Sequence, residues 1–196
     1  MTTSNTPQDE KAAEPHVCPR WMGFLLASPL RRLFENPDKL LGPYVKPGDT
    51  VLDLGCAMGF FSLPLGKMVG PEGRVVCVDV QEGMLEPLRR KIRRKKLDEV
   101  MEVRLCEGAT LGLEDLAVAA DLAVAWHVLH EARDRAAFLR ECHAALKPGG
   151  RMLLAEPTGH VNDEDFRREI DLARDAGFSV ERIDRSRRNV IAVLKR

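Results

Sequence analysis

The stretch "VLDLGCAMGFFS", residues 51–62, decides the fold of this protein. Together with Thr50, its first residues form a short apolar run at 50–54, the pattern of a strand that is buried on both faces. Asp53 lies inside this run, and glycines follow at positions 55 and 59. A carboxylate and a glycine-rich turn at the end of a buried strand predict a binding site for a small molecule.

The spacing of the loop residues argues against a dinucleotide. A dinucleotide loop has the pattern G-x-G-x-x-G, whereas this chain has Gly55-x-Ala57-x-Gly59, one residue shorter in its last interval. Asp53 would also repel phosphate groups. A ligand with its own ammonium and carboxylate groups fits better, because Asp53 attracts an amine and the N-terminus of the following helix favours a carboxylate. An amino acid joined to a nucleoside carries both groups.

A second carboxylate, Asp79, lies near the end of the next apolar run, "RVVCVDV" at 74–80. Its two oxygens can each accept a hydrogen bond from one hydroxyl group of a ribose. The same charge would repel a 2′-phosphate. The sequence therefore predicts a ligand with an unphosphorylated ribose.

Strand-like and helical patterns alternate along the rest of the chain, which predicts right-handed βαβ units and a mostly parallel sheet. The predicted strands lie at 50–54, 74–80, 101–106, 121–126 and 151–157, followed by an antiparallel pair at 178–186 and 188–196. The predicted helices lie at 60–69, 82–96, 135–146 and 163–177. The run "KPGG" at 147–150 predicts a turn before the fifth strand.

Composition indicates one globular domain. Of the 196 residues 44% are apolar and 31% are charged, and 30 basic side chains balance 30 acidic ones. No overall field therefore attracts nucleic acid, and no apolar run approaches the roughly 20 residues of a membrane-spanning helix. The five cysteines include no C-x-x-C pair, which favours a reducing cytoplasm and argues against a disulfide framework or a metal site.

Three motifs together carry a family resemblance: "VLDLGCAMGFFS", "VVCVDV" and "ALKPGGRMLLAEP". Residues 45–196 resemble class I S-adenosylmethionine-dependent methyltransferases, most of all the branch similar to ubiquinone/menaquinone C-methyltransferases. The resemblance implies S-adenosyl-L-methionine as cofactor. It also implies an α/β, three-layer Rossmann-like fold with a seven-stranded sheet, mostly parallel with an antiparallel last strand, in a methyltransferase domain at 47–196.

In the family pattern, Asp53 and the 55–59 loop hold the methionine moiety, and Asp79 holds the ribose. Ala57 stands where the family often has glycine, and the order Glu-Gly-Ala at 107–109 departs from the family, so the adenine contact stays open. The residues expected to bind the cofactor are Asp53, Gly55, Cys56, Ala57, Gly59, Phe60, Asp79, Val80, Met84, Gly108, Ala109 and Trp126.

The segment after the fourth strand, "WHVLHEARD" at 126–134, is where we expect catalytic side chains. His127, His130 and Glu131 are the candidates, because a neutral histidine can take a proton near pH 7. A general base is needed only if the methyl acceptor must lose a proton. The alternative is that His130 and Glu131 cap the next helix.

The N-terminal residues divide into two predicted segments. Residues 1–15 have the composition of a disordered tail without a secretory signal. Residues 16–46 are predicted to form a helical lid, whose Trp21, Met22, Phe24 and Leu25 cover the substrate side, as the corresponding chain does in similar methyltransferases. His16 and Cys18 form an H-x-C pair, but two ligands do not make a metal site.

The expected partner is a small, partly apolar methyl acceptor, with no nucleic acid and no membrane; the oligomeric state stays open. One alternative is an RNA methyltransferase that uses the basic run "RRKIRRKK" at 89–96, although this run is more typical of a solvated helix face. A second alternative is a non-catalytic protein that binds the same cofactor. A dinucleotide oxidoreductase is the least favoured.

Overall fold

The computed structural model describes residues 35–106 and 110–196. The helices are α1 (Pro37–Leu41), α2 (Ser62–Met68), α3 (Glu82–Lys95), α4 (Arg135–Ala145) and α5 (Asp163–Asp175). The strands are β1 (Thr50–Leu54), β2 (Arg74–Asp79), β3 (Met101–Leu105), β4 (Ala120–Trp126), β5 (Leu146–Pro157), β6 (Ser179–Arg185) and β7 (Asn189–Lys195). Short 3₁₀ turns lie at Glu114–Leu116 and Leu129–Glu131.

The seven strands form one sheet in the order β3-β2-β1-β4-β5-β7-β6. Strands β1 to β5 pair in parallel, whereas β7 pairs antiparallel with both β5 and β6. The predicted α/β fold, with a mostly parallel sheet and a terminal antiparallel pair, is therefore confirmed.

Side chains that alternate along the central strands build a separate core on each face of the sheet. Val51 packs with α2 and α3, whereas Leu52 and Leu54 pack with α4 and α5. Because the chain winds outward from β1 in one direction and from β4 in the other, the strand order reverses between these two strands. In such sheets the crevice beyond the carboxyl ends of the two strands at the reversal is the usual ligand site.

The helices present the faces that their apolar periodicity predicts. In α3 the buried side chains are Met84, Leu85, Leu88 and Ile92. Pro64 lies in the first turn of α2, where its missing N–H group breaks no helical hydrogen bond. Gly177, with φ +104°, follows the end of α5 in the left-handed conformation that helix termination favours.

The structure differs from the predicted turn at 147–150. These residues belong to β5, which begins at Leu146 opposite Ala120 and continues at Arg151 opposite Leu122. The irregular stretch between them is held from its other side, because Gly149 N donates to Arg196 O at 3.1 Å and Arg196 N donates to Gly150 O at 3.0 Å. The proline and glycines therefore bend the strand without ending it, and this pairing with the last residue of the chain has no local signal.

Several sequence predictions concern composition or the N-terminal residues. The tail at 1–15, the lid residues 16–34 and the adenine-side residues 107–109 lie outside the described residues. Within the described part of the chain, no helix is long and apolar enough to cross a membrane, and no group of three or more metal-ligating side chains could hold an ion. The described cysteines, at 56, 77, 106 and 142, are free and buried.

Leu154→Ala tests how much a buried side chain of β5 contributes to the stability of the fold. The Leu154 side chain is fully buried, and we expect Leu154→Ala to lower the free energy of unfolding by about 2–5 kcal/mol because a cavity replaces the lost contacts. Chemical denaturation measures this change. Ile183→Ala on β6, where the side chain is 48% exposed, is the control, and we expect a change within about 0.5 kcal/mol. Equal losses in both variants would contradict the assigned core.

Candidate cofactor and acceptor site

The loop between β1 and α2 lies at the carboxyl edge of the sheet and is fixed by backbone hydrogen bonds. Gly55 N and Cys56 N both donate to Val78 O of β2, at 2.9 and 3.1 Å. Gly55 and Gly59 have φ values of +72° and +85°, in the left-handed region that favours glycine. A Cβ atom on Gly55 would lie 2.7 Å from Val128 Cγ2, so glycine also allows the segment after β4 to pack against the loop.

Ala57 occupies the central position of the loop in a strained conformation. Its φ of +45° is one that a residue with a Cβ atom rarely adopts. Its backbone N–H donates to Asp79 Oδ2 at 2.8 Å, which holds the conformation in place. The alanine at this position is therefore tolerated at a cost in strain.

Asp79 joins the end of β2 to the loop. One carboxylate oxygen accepts from Ala57 N and the other from Gln81 N at 2.9 Å. Burial raises the pKa of Asp79, and hydrogen bonds from these backbone N–H groups partly oppose the increase. Because each carboxylate oxygen has two lone pairs, both oxygens can accept a further hydrogen bond from a ligand hydroxyl.

Asp53 is 2% exposed at the end of β1, and Ser62 Oγ at the start of α2 donates a hydrogen bond to its Oδ2. Burial raises the pKa of Asp53 to about 7, the hydrogen bond from Ser62 lowers it, and the charge of Asp79 raises it further. A cation near Asp53 would relieve this unfavourable ionisation. The end of β1 is therefore a place where a positively charged ligand group is stabilised.

Aromatic side chains form an apolar wall beside the loop. The rings of Phe61 and Trp126 have centroids 4.8 Å apart, and Phe60 packs edge-on against Phe61 at 5.0 Å. Trp126, at the end of β4, is buried, yet its Nε1–H has no hydrogen-bond partner among the described residues. A donor left in this state indicates that a ligand can supply the acceptor.

The remaining predicted cofactor residues occupy different environments. Cys56 is buried in the loop, where burial raises the pKa of its thiol. Val80 is 52% exposed just beyond β2, whereas Met84 is buried in the first turn of α3. Gly108 and Ala109 lie outside the described residues.

His127 lies just after β4 with a left-handed φ of +60°. Its Nε2 lies 2.8 Å from Asn189 Oδ1, and Asn189 Nδ2 donates to Glu35 Oε1 at 2.8 Å. Because the amide nitrogen of Asn189 donates to Glu35, the amide oxygen accepts, so Nε2 of His127 carries a proton. The chain of contacts fixes the tautomer and orientation of the ring.

His130, in the same segment, contacts an acidic side chain. Its Nδ1 is hydrogen-bonded to Oε2 of Glu156, and its backbone N donates to Glu156 Oε1 at 3.3 Å. Burial lowers the pKa of His130, but the hydrogen bond that its ring donates to Glu156 and the charges of Glu156, Glu131 and Glu169 outweigh this effect and raise the pKa. Glu131 Oε1 lies 3.9 Å from Nε2 of the same ring.

The structure separates the catalytic candidates from a capping role. The N-cap of α4 is Asp134, whose carboxylate accepts from Ala137 N at 2.8 Å. Neither His130 nor Glu131 is the cap, so the capping alternative is wrong.

Sequence reasoning missed Ser62, Glu156, Asn189 and Glu35 as partners in this region. Glu156 had a usable signal, because "LLAEP" places a charge at the end of a buried strand, as in "VLDLG" and "VCVDV". The others had none: Asn189 starts β7, 62 residues after His127 in the chain, and meets it only in the folded sheet.

The sheet order and the carboxylate-bearing glycine loop at the strand reversal define a Rossmann-like domain of the class I methyltransferase type. The family model for the methyltransferase domain matches residues 52–152, just over half of the chain, and the chain belongs to this family.

Two curated proteins illustrate the range of its relatives. The chain is 36% identical over 159 residues to an uncharacterised 37.1 kDa protein in a transposon of Streptomyces fradiae, covering 69% of this chain and 45% of that protein. It is 32% identical over 118 residues to a demethylmenaquinone methyltransferase of Lactobacillus johnsonii, covering 60% of this chain and 48% of that enzyme. The chain thus spans about half the length of these curated relatives.

Among solved structures, a SAM-dependent methyltransferase from Aquifex aeolicus superposes with a TM-score of 0.80 at 25% sequence identity. The match covers 91% of this chain and 99% of that one. It therefore extends over most of both chains.

Asp53→Asn tests the buried charge at the end of β1. The pKa of this group rises from 3.8 to about 7 on folding, so its ionisation destabilises the folded state increasingly as pH rises from about 4 to about 7. We expect the variant to be more stable than the wild type at pH 8, with the difference vanishing near pH 4. Denaturant unfolding across this range measures it, with Asp171→Asn on the exposed face of α5 as control. A difference that does not change with pH would contradict the prediction.

Ala57→Gly tests the backbone strain of the loop. Removing the Cβ atom relieves about 1–2 kcal/mol of left-handed strain, offset by about 0.5–1 kcal/mol of glycine entropy, so we expect stabilisation of up to about 1 kcal/mol. Ala136→Gly in α4 provides the matched control, with a loss of about 0.5–1 kcal/mol. Thermal unfolding measures both changes, and destabilisation of the same size in both variants would show that position 57 is unstrained.

Proposed function

We propose that the protein is an S-adenosylmethionine-dependent methyltransferase that transfers a methyl group to a small, partly apolar acceptor by in-line displacement. The observation that carries this proposal is the pair of buried carboxylates, Asp53 and Asp79, at the carboxyl ends of adjacent parallel strands on either side of the glycine loop. When bound, S-adenosyl-L-methionine supplies a methyl group activated by a sulfonium charge.

The residues present fit this cofactor. Asp53, whose ionisation is disfavoured by burial, would accept the ammonium group and stabilise the nearby positive charge. Asp79 would accept hydrogen bonds from the ribose hydroxyls while it keeps the loop in place through Ala57 N. The indole N–H of Trp126 offers a donor that the described protein residues leave unused. The pattern is poorly suited to a pyrophosphate, which both carboxylates would repel.

The acceptor would approach from the side of Trp126 and the 127–131 segment. Much of the catalysis would come from holding the nucleophile in line with the methyl carbon, which is worth up to about 7–11 kcal/mol in favourable cases. His127, His130 and Glu131 are proposed to contact the acceptor. The aromatic wall of Phe60, Phe61 and Trp126 supports a partly apolar molecule, and demethylmenaquinone, named in one relative, is of this kind.

An RNA acceptor is less favoured. Three of the seven basic side chains at 89–96 already have partners in the same chain: Arg89 with Glu82, Arg90 with Glu86 at 2.6 Å, and Lys91 Nζ with Met58 O at 2.7 Å. The other four lie exposed at the end of α3, away from the carboxyl ends of β4 and β5. Binding to RNA that weakens steeply with salt would favour this second function.

The cytoplasmic location suggested by the cysteine pattern is part of the main proposal.

Asp79→Asn tests the cofactor assignment. The amide keeps one oxygen for Ala57 N but removes the charge, and we expect binding of S-adenosylhomocysteine to weaken by about 1–3 kcal/mol. Isothermal titration calorimetry measures this, with Asp171→Asn as a charge-matched control and NAD as a ligand expected not to bind. Wild-type affinity in Asp79→Asn would contradict the ribose assignment.

A labelled-methyl screen against small-molecule extract and against RNA then separates the acceptor classes. Tight cofactor binding without transfer to either would favour a non-catalytic role.

A further inference from the structure

We infer that Glu156 and His130 form the general base of the acceptor site, and that the acceptor is a phenol, an enol or a thiol, whose nucleophilic atom must lose a proton. This inference rests on the proposed function and adds the substrate class to it. It follows from the way a fully buried carboxylate is committed to one histidine ring.

Both oxygens of Glu156 are used on the same residue. Oε2 is hydrogen-bonded to His130 Nδ1 and Oε1 accepts from the backbone N–H of His130, while the carboxylate itself has no exposed surface. The carboxylate therefore fixes the ring and keeps a proton on Nδ1. The nitrogen that gains and loses a proton is then Nε2, on a side chain that remains 15% exposed.

The segment that carries His130 packs against the loop assigned to the cofactor. Its segment leaves β4 at the strand reversal, and Val128 packs so closely against Gly55 that a Cβ atom there would lie 2.7 Å from Val128 Cγ2. His130 follows two residues later, in the short turn Leu129–Glu131. The turn that carries His130 therefore directly follows the residue that packs against the loop assigned to the cofactor in the proposed function.

The charged groups around His130 favour its protonated form. Glu156 comes from β5, Glu131 from the same turn, and Glu169 from α5, where its carboxylate is fully buried. Against these three carboxylates stands Arg135 at the start of α4, whose Nη1 lies 3.3 Å from Glu169 Oε1 and whose Nη2 donates to His130 O at 3.0 Å. The ring of His160 lies at a centroid distance of 6.1 Å. The excess of negative charge stabilises an imidazolium ion at His130.

The neighbouring histidine has a different partner. Nε2 of His127 contacts the neutral amide of Asn189, and Nδ2 of that amide donates to Glu35 Oε1. An amide orients a ring but does little to stabilise a proton gained by it. We therefore assign proton transfer to His130 and positioning to His127.

In the proposed step, His130 takes a proton from the acceptor as the acceptor is methylated. The O–H or S–H proton of the acceptor passes to Nε2 of His130, and the resulting oxygen or sulfur nucleophile forms a bond to the methyl carbon. The bond from that carbon to the sulfonium sulfur breaks, its electron pair stays on sulfur, and a neutral thioether leaves. Glu156 neutralises the imidazolium ion. A neutral amine attacks with its own lone pair and needs no base beforehand, which is why the pair points to oxygen and sulfur acceptors.

The first experiment measures the pKa of His130 and its dependence on Glu156 without any methyl transfer. The imidazole signals of the full-length protein, saturated with S-adenosylhomocysteine, are titrated by NMR, and the His130 signal is identified by its loss in His130→Gln. We expect a His130 pKa above the ordinary value of 6.5 in the wild type and a lower His130 pKa in Glu156→Gln, because the variant loses the charge and one acceptor oxygen of Glu156. A pKa at or below the ordinary value, or one unchanged by Glu156→Gln, overturns the inference.

The second experiment tests proton removal with probes of similar shape. Labelled methyl transfer is measured for phenol, aniline and two probes that are already ionised at the assay pH, thiophenol and a nitrophenol. We expect His130→Gln to reduce transfer to phenol by about 10²- to 10⁴-fold and to reduce transfer to the nitrophenol far less. His143→Gln provides the matched control, because His143 lies against Phe178, where α4 meets the segment after α5.

The outcomes separate this inference from the proposed function. Failure of the wild type to bind S-adenosylhomocysteine in calorimetry would overturn the proposed function itself. Binding with transfer only to aniline, transfer to none of the probes, or an equal loss for phenol and nitrophenol in His130→Gln would overturn the base and its acceptor class alone.

Discussion

The hydrogen bond between the Asp79 carboxylate and the backbone N–H of Ala57 organises the site. It ties the end of β2 to the middle of the loop that follows β1, and it holds Ala57 in a conformation with φ +45°. The position of the glycines, the start of α2 and the packing of Val128 against Gly55 all depend on this loop geometry. Asp79 therefore has two roles in one carboxylate: it supports the loop and, in the proposed function, it contacts the ribose.

Buried negative charge is concentrated at the carboxyl edge of the sheet, although the overall charge of the protein is balanced. Asp53 and Asp79 lie at the ends of β1 and β2, and Glu156 lies at the end of β5 with Glu169 nearby on α5. Burial raises the pKa of Asp53 and of Glu169 to about 7, so these groups are poised to respond to a ligand charge or to a proton. The first pair fits a cationic cofactor, and the second surrounds the histidine to which we assign proton transfer.

Strand and helix positions followed closely from local patterns, because a strand buried on both faces must be apolar throughout and a helix must be apolar on one face. The buried carboxylates Asp53 and Asp79 could be singled out as site candidates for the same reason, since a carboxylate inside an apolar run is conspicuous. The conformation of residues 147–150 was not predictable, because it depends on hydrogen bonds with Arg196, which is distant in the sequence. Whether His130 would cap a helix or pair with a carboxylate was equally open from the sequence.

The sequence by itself determined the parallel α/β domain and the glycine loop after β1, and it predicted that this loop prefers a cationic nucleoside to a pyrophosphate, because these depend on residues close together in the chain. Only the tertiary structure decided which partners the two histidines have. His127 meets Asn189 and His130 meets Glu156 because β4, β5 and β7 are neighbours in the sheet, and strand neighbours are set by packing across the whole domain.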